Sequence, residues 1–233
     1  MATHRLLDEG AHAGAEHLDP AYVSTYDRKA QADPAADLRE LVSRGLGARS
    51  TLVDLGAGTG TFAVAAAALC ERVVAVDVSP EMVKAIRSKA SEHGATNVTC
   101  VEAGFLSYRH DGSPADFIYT RHALHHLPDL WKAVALRRMA DMLRPGGVLM
   151  VRDLMFSFEP AEADERIAAW LDAAPADPAA GWTQDELQAH LRHEFSTFTW
   201  LLEPMIEHAG LEIAHADLAP NGIHAAYVCV KPG

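Results

Sequence analysis

Basic residues are scarce in this chain of 233 residues: 20 lysines and arginines stand against 32 aspartates and glutamates, a formal net charge of −12. Affinity for nucleic acid comes largely from neutralising phosphates, and the chain has no basic block to do so. No nucleic-acid partner is expected. Cysteine is scarcer still. Cys70, Cys100 and Cys229 show neither CxxC nor zinc-ligand spacing, so they read as reduced packing residues of a cytoplasmic protein. No apolar run reaches the ~18 residues of a membrane span. The opening MATHRLLDEG is polar and mixed in charge, which predicts no secretory signal and no membrane partner.

What is present is a core. The 49% hydrophobic content suffices for one α/β domain with a modest extra segment. Asp33-Pro34 predicts a helix start, with Leu38, Leu41, Val42 and Leu46 as its apolar stripe. Strands then alternate with helices: TLVDLG, FAVAAAALC, RVVAVD, SPEMVKAIRSKASEHG, NVTCVE, ADFIYT, PDLWKAVALRRMADML and GVLMVRDL. Continuous apolar strands between helices predict a parallel sheet covered on both faces. An Ala/Pro/Asp-rich stretch follows, with a Thr183-x-x-Glu186 capping box opening a helix. LEIAHADLA and GIHAAYVCV, joined by Pro220-Asn221-Gly222, predict an antiparallel hairpin at the sheet edge.

The most informative segment is Val53-Asp54-Leu55-Gly56-Ala57-Gly58-Thr59-Gly60, where a strand must turn sharply into a helix. Glycine permits the turn and close backbone approach to a ligand. The next strand ends in Asp77, whose carboxylate can accept hydrogen bonds from both hydroxyls of a ribose. The alternative is that Asp77 caps the following helix, a role Ser79 already fills. Thr61 stands where a dinucleotide fingerprint has its third glycine, and no Gly-Lys-Ser/Thr follows. An S-adenosylmethionine (SAM) ligand fits better than NAD.

VDLGAGTG, VVAVDVSPEMV, ADFIYTRHALHHLPD and MLRPGGVLMVRD, in that order, resemble the successive motifs of class I SAM-dependent methyltransferases, in particular a small-molecule branch with an ALHHL-type motif after the fourth strand. The resemblance implies a Rossmann-like α/β fold with a seven-stranded sheet, parallel but for an antiparallel C-terminal hairpin strand. Residues 1–48 would form an N-terminal lid and helix, and 49–233 the SAM-binding domain, with 156–198 a substrate-side insertion. It further implies that Gly56, Ala57 and Gly58 pack on the cofactor, that Asp54 orients its amino group, and that Asp77 takes the ribose. Val78 and Met82 would flank the adenine. The acid expected after the third strand is absent, and Gly104 with Phe105 is the substitute. The backbone carbonyl of Arg121 would meet the methionine ammonium, and Tyr26 and Arg28 would lie near its carboxylate.

The implied reaction is in-line methyl transfer to O, N or C of a small-molecule acceptor, in a protein open to homodimer formation. The alternatives are a SAM-binding protein without catalysis and an NAD(P)-dependent oxidoreductase, the latter disfavoured by Thr61. A nucleic-acid amino-methyltransferase lacks its Asp/Asn-Pro-Pro-Tyr/Phe motif here. His125 and Asp153, at the mouth of the site and just beyond the fifth strand, are the candidate catalytic residues, because histidine titrates near neutrality. His126 is expected to face the core, and His12, His17 and His208 to be solvated. His122, His125 and His126 lack convincing ligand geometry, so no metal is expected.

Overall fold

The structure, a computed structural model, describes residues 7–30 and 33–233, with the backbone alone at positions 15, 16 and 28. Two 3-10 turns, Gly10–His12 and Ala15–Leu18, lead into α1 (Pro20–Ala30) and α2 (Ala35–Ser43). The α/β alternation follows: β1 (Thr51–Leu55), α3 (Thr61–Ala67), β2 (Arg72–Asp77), α4 (Pro80–Glu92), β3 (Val98–Glu102), β4 (Ala115–Arg121), α5 (Asp129–Met142) and β5 (Leu143–Phe156). The chain closes with α6 (Ala163–Asp172), α7 (Gln184–His193), β6 (Thr197–Phe198), α8 (Thr199–His208), β7 (Glu212–Leu218) and β8 (His224–Val230).

The sheet order is β3-β2-β1-β4-β5-β8-β7, with β6 added beside the end of β5. The first five strands of that path are parallel, and β8 runs antiparallel to both β5 and β7. The expected seven strands are thus joined by an eighth of two residues. β8 takes the inner place and leaves β7 as the edge. Successive strand residues go to opposite faces: Val53, Val74, Ile118 and Leu149 join one core with α5 and α8, while Leu52, Val73, Phe117 and Val148 join the other with α2 and α3. Each fully buried Val, Leu or Ile contributes about 1.5–3 kcal/mol, which holds the strand ends in register.

Local signals behave largely as the residue types dictate. Ser79 caps α4 by accepting from the Met82 N–H at 3.2 Å, with Pro80 first in the helix. Thr183 and Glu186 form their capping box. Asp33 accepts from the Ala35 N–H at 2.9 Å, so α2 starts one residue later than Pro34. Val42 falls off the stripe and is exposed, whereas Leu41 and Leu46 are buried. β5 begins at Leu143 and runs through Pro145-Gly146-Gly147 to Phe156, which puts Asp153 within the strand rather than beyond it.

Candidate active site

The strand order reverses between β1 and β4, and open α/β sheets bind ligands in the crevice outside such a switch point. The loop leaving β1 turns because the Gly56 and Ala57 N–H groups both donate to the Val76 carbonyl. Gly56 has φ +72°, and a Cβ there would lie 2.3 Å from the Ala123 Cβ. The β1 and β4 loops therefore meet with bare backbone between them. His122, directly after β4, also has positive φ (49°), a strain that tends to persist only where surroundings over-determine it.

Asp77 sits at the end of β2. Its Oδ2 accepts from the Gly58 N–H (2.8 Å) and its Oδ1 from the Ser79 N–H (2.9 Å). A carboxylate offers about four acceptor positions, so it keeps capacity for two further hydroxyls. Burial raises its pKa above the ordinary value. Asp54 is 2% exposed, and its Oδ2 has no hydrogen-bond partner. Burial, then the charge of Asp77, pushes Asp54 up to about 8. An orphaned buried acceptor of this kind costs about 1–3 kcal/mol unless a ligand satisfies it.

Beside Asp77 a narrow cavity of about 80 Å³ is lined by Val78, Met82, Gly104 and Phe105, the residues expected to flank a flat base. The missing acid after β3 has a neighbour that sequence reasoning did not find. Glu9 reaches in from the N-terminal segment, accepting from the Leu106 N–H at 2.9 Å and from the Ser107 N–H and hydroxyl at 3.0 Å each. A Cβ on Gly104 would lie 2.3 Å from the Glu9 Oε1. Nothing local signals this pairing, since the partners lie on either side of the first three strands.

A larger cavity of about 1040 Å³ opens from the glycine loop toward the insertion, and most of the chain's histidines line it. Tyr26 lies on both cavities, and burial, then Asp77, pushes it up to about 12. His17 is not solvated: it packs edge-on against Tyr22, Tyr26 and His126. His12 is likewise no free surface group, since it lines the cavity and meets Phe195. His208 makes a local bond to the Pro204 carbonyl. His126 faces the cavities rather than the core, and burial brings it down to about 3. Arg121 turns its guanidinium to Asp37 at 3.4 Å, leaving its backbone at the switch point. Arg28 lies outside the described side chains.

His125 is 6% exposed and gripped from both sides. Its Nδ1 lies 2.5 Å from the Asp153 Oδ1, its N–H donates to the Asp153 Oδ2 at 3.1 Å, and its Nε2 lies 3.0 Å from the Glu194 Oε2. Burial would lower His125, but Asp153 and then Glu194 outweigh it and push it up to about 9. Asp153 stays well below the usual carboxylate range, because His125 more than offsets its burial. His122 drops to about 3, chiefly through burial. Sequence reasoning missed His190, whereas Glu194 falls in the polar and aromatic run from Arg192 to Trp200, which reads equally as a pocket wall or as a linker. Their i, i+4 spacing at the end of α7 was legible, but the segment's return to the sheet was not. That return is fixed by β6 on β5, by the Phe195 N–H donating to the His125 carbonyl (2.8 Å), and by buried Lys132 donating to the Phe195 carbonyl.

The comparisons with known proteins follow the same geometry. Residues 52–147 match the family model described as a methyltransferase domain. The chain is 28% identical over 200 residues to 27-O-demethylrifamycin SV methyltransferase of Amycolatopsis mediterranei, covering 80% of this chain and 71% of that one. It is 27% identical over 169 residues to an uncharacterized methyltransferase of Geobacillus kaustophilus (67% and 77% covered). The chain is a SAM-dependent methyltransferase. Its fold matches the crystal structure of a SAM-dependent methyltransferase from Aquifex aeolicus at TM-score 0.64, with 19% identity over 91% of this chain and 98% of that one. The residues present fit the cofactor of this methyltransferase: the orphaned Asp54 oxygen suits an ammonium, the spare capacity of Asp77 suits paired hydroxyls, and the slot at Met82 and Phe105 suits a base. Among the described residues no helix is long and apolar enough to cross a membrane.

Proposed function

We propose that this methyltransferase transfers the methyl group of SAM to an oxygen of a small-molecule acceptor held in the histidine-lined chamber. The observation that carries the reading is the chamber itself. At about 1040 Å³ it stands at the upper end of small-ligand pockets, roughly 300–1,000 Å³, and it joins the glycine loop to the wall supplied by residues 156–198. A macromolecular acceptor needs an open groove. Here α1 crosses the mouth instead: Lys29 pairs with Glu186 and lies over the Trp182 ring, while Asp27 pairs with Lys89 at 2.5 Å. The Amycolatopsis relative is named for an oxygen of a small molecule, which favours the same acceptor class.

In this reading Gly56, Ala57 and Gly58 lie against the cofactor, Asp77 takes the ribose and Asp54 the ammonium. Val78, Met82, Gly104 and Phe105 hold the adenine, with the Arg121 carbonyl and Tyr26 at the methionine end. Bound SAM supplies an electrophilic methyl on a sulfonium. The chain's own task is to align the acceptor and exclude water, an entropic advantage that reaches about 7–11 kcal/mol in favourable cases. His125, its Nδ1 fixed on Asp153, presents Nε2 to the acceptor side. Residues 1–48 act as the lid and 156–198 as the acceptor wall, in a cytoplasmic protein.

The test is S-adenosylhomocysteine release from SAM across a panel of hydroxylated small molecules, beside calorimetry of SAM binding. Saturable release with one chemical class supports the reading. SAM bound without turnover on any panel member would make the chain a binding protein, and no SAM binding would overturn the cofactor assignment as well.

A further inference from the structure

Two imidazoles and one carboxylate converge on the acceptor side of the chamber. The ligand atoms of His125, His190 and Glu194 all lie within 4.8 Å of one another. Each imidazole has one nitrogen engaged behind it: His125 Nδ1 on Asp153 (2.5 Å), and His190 Nε2 on the Ser196 hydroxyl (2.8 Å). The other nitrogen of each ring, His125 Nε2 and His190 Nδ1, points at the same oxygen, Glu194 Oε2. That oxygen is buried, yet neither contact is aligned as a hydrogen bond. Metal-ligating histidines almost always give their second ring N–H to a carboxylate, carbonyl or water, which fixes the tautomer and turns the lone pair to the ion. His125 is engaged in that way by the Asp153 carboxylate, and the Ser196 hydroxyl serves the same orienting role for His190.

We propose that His125, His190 and Glu194 bind one divalent first-row metal cation, zinc being the best match. Two histidines and a glutamate make up a known zinc donor set that keeps a fourth position open. Ligand atoms ~2.0–2.1 Å from a tetrahedral ion stand ~3.3 Å apart; the His125 Nε2–Glu194 Oε2 separation is 3.0 Å, and His190 Nδ1 lies closer still to that oxygen, so the His190 ring must turn outward to admit the ion. The support is rigid. Phe195 is bonded through its N–H to the His125 carbonyl and through its carbonyl to Lys132, so the residue after Glu194 cannot swing away from His125. His190 also packs edge-on against Trp170, with centroids 6.2 Å apart. The open position faces the cavity, where an acceptor hydroxyl would coordinate and lose its proton more readily. Only this last role rests on the methyl-transfer reading; the binding of the ion does not.

The test uses the full chain, stripped with chelator and titrated with Co²⁺ and with Zn²⁺. One equivalent of Co²⁺ with a visible absorption band, displaced by Zn²⁺, is the expected result. Glu194→Gln and His190→Gln should each abolish the band, and Ser196→Ala should weaken binding ~10-fold. His215→Ala, at an exposed edge-strand position, should leave it intact. Asp77→Ala should weaken SAM ~10- to 150-fold and keep the cobalt band, which separates failure of this site from failure of the cofactor site. Absence of stoichiometric binding in the parent chain would overturn the proposal. A band that survives in folded Glu194→Gln and His190→Gln proteins, checked by circular dichroism, would also overturn it.

Discussion

The two sides of the chamber are made of different material. The side proposed for the cofactor is lined by main chain and short acids at strand ends: the Gly56–Gly58 backbone, Asp54 on β1 and Asp77 on β2. Their places are fixed by ladder register and by strands buried on both faces. On the acceptor side the surface is long side chains hung from helices and loops, such as Tyr22, Trp170, Trp182 and His190. Each of those can change without moving the sheet. A fold of this kind can keep one cofactor while varying its acceptor, because segments that connect the sheet elements vary more freely than the scaffold that positions them.

The most severe way to test that separation is Gly56→Val. The added Cβ meets the Ala123 Cβ at 2.3 Å, at a φ of +72° that a β-branched residue avoids. Overpacking and backbone strain together should cost about 3 kcal/mol and abolish SAM binding, read by thermal melt and calorimetry. If Gly56→Val still binds SAM while losing acceptor affinity, the division of labour is wrong.

Next in size is Asp77→Ala. Charge-assisted hydrogen bonds to hydroxyls contribute roughly 1.5–3 kcal/mol, so SAM affinity should fall ~10- to 150-fold. Acceptor affinity, measured with S-adenosylhomocysteine saturating, should hardly move.

How far each side was legible in the sequence follows from the same contrast. The residues proposed for the cofactor side lie in short contiguous motifs because a strand end and its turn are local objects, so Asp54, Gly56, Asp77 and Met82 could be named as candidates from the sequence. Acceptor-side residues meet only after the chain folds. Glu194 joins His125 there, just as Glu9 joins Leu106 and Ser107 beside the proposed base slot, across sequence separations that no periodicity encodes. His17 and His126 were misplaced for the same reason: an imidazole reads equally as surface or wall until its partners are known. β5 was cut short at its start by Pro145-Gly146-Gly147, yet the strand runs through it, because the pairing of Ala115 with Leu143 and the Lys231–Gly147 bond hold the backbone extended.

Asp54 gives a smaller effect with a definite sign. Its pKa is raised to about 8, so between about pH 4 and 8 the folded chain holds a proton that the unfolded chain has released. The stability it contributes is full below pH 4 and is lost as pH rises through 8. Asp54→Asn carries no such loss, so its advantage over the parent should grow across that window and level off above it. Each kcal/mol corresponds to ~2–4 °C in Tm for a domain this size. SAM binding should weaken in the same variant, and in the parent near pH 7 binding should release a proton as the ammonium draws Asp54 into its charged form. Calorimetry in buffers of different ionisation enthalpy measures that release; proton uptake would refute the assignment.

The mildest substitution probes the clasp rather than either wall. Trp182 contacts Tyr22 and Tyr26 and receives the Lys29 ammonium 4.8 Å above its ring. A cation–π contact at a partly exposed place contributes about 0.5–1 kcal/mol, too little to unfold a domain but enough to shift a helix that closes a mouth. Trp182→Ala should therefore leave Tm within a few degrees while α1 becomes several-fold more sensitive to limited proteolysis. Because Tyr26 borders both cavities, freeing α1 should weaken SAM modestly and the acceptor more. Equal loss of both ligands would mean that α1 belongs to the cofactor side, and that the boundary between the two sides runs through Trp182 rather than through the glycine loop.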